Sequence, residues 1–150
     1  MVMDKDVMKI LEKHLSMYSE YKKHIIELEE EILNNGKGGY EEHITSKYKI
    51  SRKIEDDVIK LMSNPELNYY KNWVIVIDWL IKEIINEPMK VKLLKHKYLD
   101  QLTKVKDVEV MLVLASVGYM SDDDRNFYIK VKEQILYKLE QQARRLNLLD

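Results

Sequence analysis

The sequence predicts an all-α protein: a helical bundle with a long N-terminal helix and a C-terminal helix-turn-helix. Three observations lead there. Methionine, leucine, isoleucine, lysine and glutamate dominate a 150-residue chain that holds four glycines and two prolines, a vocabulary that favours helices. Apolar residues recur at helical spacing along most of it. Glycines and prolines fall between those apolar runs, where helices start and stop, and not inside them. At 45% apolar residues the chain can bury a continuous core.

In segment 4–33, Leu11, Tyr18, Ile25 and Ile32 lie seven apart, and Val7, His14, Tyr21 and Leu28 fill the alternate seam. This a/d heptad predicts one uninterrupted helix. It offers Leu11, Tyr18, Ile25, Leu28 and Ile32 as the contact of a homodimer. The histidine and tyrosines in the seam leave packing against the rest of the same chain open.

Segment 34–39 contains Gly36, Gly38 and Gly39, which free the backbone and end the helix. The expected division is therefore 1–50, heptad helix and Gly-rich linker, and 51–150, a helical core. Segment 40–50 shows no clear period. Ser51 is a candidate N-cap for a short amphipathic helix carrying Ile54, Val58, Leu61 and Met62. Asn64 followed by Pro65 marks the next start, because proline at the first helical position loses no hydrogen bond. The helix beyond is apolar on nearly every side, from Trp73 to Ile85. Its Val74–Ile77 stretch is β-branched, but the apolar character outlasts a strand.

Glu87-Pro88 breaks the chain again. Val91, Leu94, Tyr98 and Leu102 then form a seam flanked by Lys90, Lys92, Lys95 and Lys97. Asp107 is a candidate cap for helix 108–116, whose unbroken apolar character predicts burial.

Several function classes drop out. There is no cysteine, which excludes disulfides, thiolate metal sites and cysteine nucleophiles. The N-terminus is acidic and lacks an export core. The most apolar run, 73–85, contains Asp78, Lys82 and Glu83 and is shorter than the roughly 20 residues of a membrane span. A soluble, cytoplasmic protein is expected. No nucleotide-binding, hydrolase or metalloprotease motif is present, so an enzyme, a cofactor and a metal are not expected. His14, His24, His43 and His96 are scattered, and the runs Glu29–Glu31 and Asp122–Asp124 point around a helix instead of converging on an ion.

Net charge is −1, but it is unevenly spread. Between residues 89 and 106 six lysines face one acid, Asp100. Such a segment is a basic patch on a near-neutral protein or a solvated helix face.

The last third has the outline of a helix-turn-helix. Ala115 is the small residue that lets a second helix approach, Gly118 the turn glycine, and Met120 the turn's buried apolar residue. Val131, Ile135 and Leu139 would face the core, joined by Phe127 or Tyr128. Arg125, Asn126, Lys130 and Gln134 would then face outward, where arginine and asparagine can read base edges and lysine can hold phosphate. A plain helical hairpin with these residues solvated is the competing reading.

Segment 15–32, LSMYSEYKKHIIELEEEI, resembles the opening helix of the RinA/ArpU-like late transcription activators of phages of Gram-positive bacteria. The order of the segments beyond it is similar too: a glycine-containing spacer, a helix over 51–61, an apolar helix, LLKHKYL at 93–99 and DRNFY at 124–128. The resemblance implies a C-terminal part like the promoter-binding fourth region of sigma factors. Arg125, Phe127 and Tyr128 match the family's polar-x-Arg-x-aromatic-Tyr start of the recognition helix. Ile129 stands where the family carries a basic residue. Counted from Ala115 the helix cap is Ser121; counted back from Phe127 and Tyr128 it is Asp123.

The functional expectation is a sequence-specific DNA-binding transcriptional regulator. It would activate phage late genes in the bacterial host cytoplasm, with double-stranded DNA and bacterial RNA polymerase as partners. Lys90, Lys92, Lys95 and Lys97 would supply phosphate contacts, and Arg125, Asn126, Lys130 and Gln134 would read the groove. The alternative is a helical protein-interaction module, a phage adaptor or assembly protein that does not bind DNA.

Overall fold

A computed structural model describes residues 3–34, 47–100 and 105–149, which form helices and their connections with no strand among them. The helices are α1 (Lys5–Ser16), α2 (Tyr18–Asn34), α3 (Lys47–Ser63), α4 (Pro65–Glu83), α5 (Pro88–Leu94), α6 (Asp107–Ser116) and α7 (Arg125–Arg145). A π-helical turn, Lys95–Leu99, extends α5. Its i→i−5 hydrogen bond runs from the Asp100 amide to the Lys95 carbonyl, at 2.9 Å. The expected all-α class holds.

The caps follow from local chemistry. Asp4 caps α1 by accepting from the Asp6 amide at 2.8 Å. Asn64 Oδ1 accepts from the Leu67 amide at 2.9 Å and Pro65 opens α4, as the sequence pattern requires. Pro88 opens α5.

The expected single N-terminal helix is two. Met17 leaves helical geometry at φ −91° and ψ 1°, and α2 starts at the next residue. Bonds to other elements hold that junction. The Tyr18 hydroxyl donates to Asp78, and Ser19 Oγ donates to the Leu99 carbonyl at 3.3 Å. Helix α3 also begins upstream of the expected cap Ser51, at Lys47. The glycine-rich stretch after Asn34, segment 40–46 and the seam residue Leu102 lie outside the described residues.

The chain divides into two compact units, Met1–Ser19 with Trp73–Asp150, and Glu20–Asn72. The breaks between these units fall after Ser19 and after Asn72, and the expected division is at residue 50. The first half of the heptad helix belongs with the C-terminal helices because α1 packs on the π turn and on α7, while α5 packs on α6 and α7. Leu11, Leu15, Trp73, Ile77, Leu80, Leu94, Leu114, Tyr128 and Ile135 are among the fully buried side chains of this unit. His14 lies flat on Trp73, ring centroids 3.7 Å apart.

The second unit is built differently. Tyr21, Tyr69, Tyr70 and His24 form a ring cluster, with Tyr21 and Tyr70 centroids 5.4 Å apart. Lys71 of α4 meets Glu29 of α2 at 3.6 Å. Among the described residues of this unit, Tyr21 and Leu67 are the buried apolar side chains, while Ile26, Ile54, Val58, Ile59 and Met62 are exposed.

Candidate nucleic-acid interface

Helix α7 starts beyond both expected caps, Ser121 and Asp123. Its N-cap is Asp124, whose carboxylate accepts from the Phe127 amide at 3.2 Å. Ser121 instead donates to Asp123 Oδ1 at 2.6 Å, so these two residues close the turn upon themselves. The connection from α6 thus occupies residues 117–124, longer than the three- or four-residue turn of a standard helix-turn-helix. Gly118, at φ +82°, takes the left-handed conformation expected of a turn glycine. Met120 is half-buried and does not plug a core.

Along α7 the inward stripe is Tyr128, Val131, Lys132, Ile135, Leu136, Leu139 and Ala143. Val131, Ile135 and Leu139 face inward as the spacing requires, and Tyr128 joins them while Phe127 stays outside. Arg125, Asn126, Lys130 and Gln134 are exposed, as are Gln141, Arg144 and Arg145 further along. Asn126, Lys130 and Gln134 follow each other at four-residue spacing, so they form one line along the helix. Glu133 and Glu140, the acids of this helix, are half-buried, and Glu140 pairs with Arg144 at 3.6 Å.

The four expected phosphate-binding lysines do not share one face. Lys92 and Lys95 are exposed. Lys90 is largely covered and pairs with Glu87 at 2.8 Å; that hydrogen bond holds the Glu87 carboxyl below its usual range. Lys97 points inward, with 8% of its side chain exposed, and is withdrawn from any phosphate. It lies in the π turn between the buried Leu94 and Tyr98, and its ammonium is drawn inward to Asp107.

Lys97 belongs to a closed polar network that the sequence pattern does not reveal. Its ammonium meets Asp107 Oδ1 at 2.7 Å and donates to the Val105 carbonyl at 3.1 Å. Lys132 approaches Asp107 Oδ2 at 3.2 Å and Glu12 Oε2 at 3.8 Å. The Tyr128 hydroxyl donates to Asp107 at 2.6 Å, and the Tyr98 hydroxyl donates to Glu12 at 2.7 Å. Burial raises both phenols, and their carboxylate partners raise them further, so they remain donors. Burial alone would push Asp107 up, but Lys97, Tyr128 and Lys132 outweigh it and bring the carboxyl down to about 2.

Two acids, two ammonium groups and two phenols satisfy one another here, which is how buried charge is tolerated. The arrangement clasps α1, the π turn, α6 and α7 together and offers no activated acid, base or nucleophile. Asp107 therefore serves this network from the first position of α6, and the N-cap residue is Lys106, not Asp107. Among the described residues no group of His, Asp and Glu side chains is placed to hold a metal ion, and no helix is long and apolar enough to cross a membrane.

The expected homodimer seam is split. Leu11 and Tyr18 are buried inside their own unit and cannot meet a second chain. Ile25, Leu28 and Ile32 are half-buried on α2. Compared with protein-family models, curated proteins and solved structures, the chain matches none.

Proposed function

We propose that the protein is a sequence-specific DNA-binding transcriptional regulator that lays the outer face of α7 against the duplex. The observation that carries this reading is the composition of that face. Apart from Phe127, the exposed residues of α7 are arginine, lysine, glutamine or asparagine, and its two glutamates are the less exposed ones. Such a face can hold phosphates through Lys130, Arg144 and Arg145 and reach base edges through Arg125, Asn126 and Gln134. Lys92 and Lys95 add charge from α5 and the π turn.

The resemblance to RinA/ArpU-like proteins supports the narrower proposal, activation of phage late genes at the promoter with host RNA polymerase, in the bacterial cytoplasm. A homodimer in this reading uses Ile25, Leu28 and Ile32 of α2. The alternative, an interaction module without DNA binding, is favoured by the uncovered apolar side of α6.

Anisotropy of a labelled promoter duplex, titrated with the full chain from about 50 to about 200 mM salt, is the direct test. Expected is binding that weakens linearly on a log–log salt plot by about 0.9 per neutralised phosphate. Lys130→Gln should lower that slope by about 1. No binding at the lowest salt, or a slope indifferent to Lys130 and Arg125, would sink the DNA reading.

A further inference from the structure

The geometry points to the outward side of α6 and the turn after it as a docking surface for a basic amphipathic helix of a partner protein. Helix α6 is apolar around nearly its whole circumference, a pattern that belongs to a helix buried on all sides. Here it is buried on one side only, through Val110, Met111 and Leu114. Val108 and Leu112, one turn apart on the other side, are 56% and 54% exposed. Val117 and Tyr119 continue the apolar surface into the turn at 50% and 39%. The expected burial of helix 108–116 thus holds for one side of it only.

What covers this surface is indicated by charge. Residues 107–124 contain Asp107, Glu109, Asp122, Asp123 and Asp124 and not one lysine or arginine, in a chain whose net charge is −1. Asp107 is spent inside the polar network, whereas Glu109, Asp122 and Asp123 are exposed. The segment exposes carboxylates as its only charges and is bounded by the exposed cations Lys106 and Arg125. It complements a helix that carries leucines on one face and lysines or arginines beside them. Two exposed residues at i and i+4, followed by an aromatic, suit the i, i+3, i+4 anchors of such a helix. The surface does not depend on α7 binding DNA, and it would serve either reading of the function.

The test titrates the full chain, labelled at a position remote from α6, with a synthetic leucine–lysine amphipathic helix and with its leucine–glutamate counterpart. Binding of the basic peptide alone is expected, with exchange protection confined to α6 and the turn. Leu112→Ser and Val108→Ser should each weaken it about tenfold. Asp122→Asn with Asp123→Asn should weaken it and flatten its salt dependence. Circular dichroism and the DNA titration are run on each variant, so a folding defect or a loss of DNA binding is read separately. Equal binding of both peptides, indifference to Leu112, or concentration-dependent dimerisation that Leu112→Ser abolishes would each overturn the proposal.

Discussion

Lys132 sits among Tyr128, Ile135 and Leu136 on the buried stripe of α7, and the Lys97 side chain, 8% exposed, is likewise withdrawn from solvent. Lys97 reads as surface charge in the sequence because lysine is almost never buried without a partner, and its partner Asp107, like the Asp107 and Glu12 partners of Lys132, is remote in the chain. Spacing alone could have placed Lys132 inward; nothing local could have named the carboxylates. Removing one partner upsets the balance of two carboxylates against two ammonium groups in a partly buried site, so Lys132→Met or Asp107→Asn should destabilise by about 2 kcal/mol. Urea unfolding at neutral pH measures it. The pH dependence separates two residues. Asp107 is lower folded than unfolded, so its contribution is complete above its ordinary value of 3.8 and disappears as pH falls through about 2. His14, lowered from 6.5 to about 4 by burial and then by Lys13, must stay neutral against Trp73. Its contribution is complete above 6.5 and is lost as pH falls toward 4, on the order of 2 kcal/mol after allowance for solvent. His14→Phe, which keeps a flat ring on Trp73, should remove the slope between these limits. A variant that still loses stability like the parent there would show that another group titrates.

At the scale of elements, the caps and starts governed by local chemistry were legible: Asn64-Pro65, Pro88 and the glycine turn at Gly118. The start of α7 was not, because Ser121, Asp123 and Asp124 are all good caps and their choice depends on how the turn closes. The Ser121–Asp123 hydrogen bond takes two of them out of contention and leaves Asp124. Asp124→Ala should therefore cost about 1 kcal/mol, and Ser121→Ala well under that. Gly118 has no neighbour within 4 Å of an added Cβ, so Gly118→Ala meets backbone strain alone. Its expected cost is about 1 kcal/mol, from an L-residue held at φ +82°. Thermal melts of the three variants rank the caps directly; a Ser121→Ala loss equal to that of Asp124→Ala would refute the assignment. Helix α6 is only partly legible for a related reason. Its composition announces burial on every side, but composition does not say whether the neighbour belongs to the same chain.

Across the whole molecule, apolar burial is distributed far less evenly than apolar residues are. Met1–Ser19 with Trp73–Asp150 contains nearly every buried apolar side chain among the described residues, whereas Glu20–Asn72 contributes Tyr21 and Leu67. The heptads of 4–33 and the pattern Ile54, Val58, Leu61, Met62 look equally amphipathic in sequence, so this inequality was not legible; it depends on which faces find a partner. In α3 the face stays open, with Met62 exposed and Ile59 beside it. The polar contacts of this unit do not compensate. Lys53–Asp57 is an i,i+4 pair worth about 0.3–0.5 kcal/mol, and Lys71–Glu29 is partly solvated. A fully buried leucine contributes about 1.5–3 kcal/mol, and α7 alone inserts Ile135, Leu136 and Leu139 into the first unit. Local opening of α3 should therefore require several kcal/mol less than opening of α7. Hydrogen exchange near neutral pH is expected to run at least about a hundredfold faster for α3 amides than for those around Leu136, a difference of about 2.7 kcal/mol or more. Urea should release the α3 amides at a lower concentration than those of α7. Equal protection of both helices, with one shared urea transition, would mean that the exposed face of α3 is covered in solution by a second copy or another part of the chain. Dilution then separates these two, since only the first would lose protection as concentration falls.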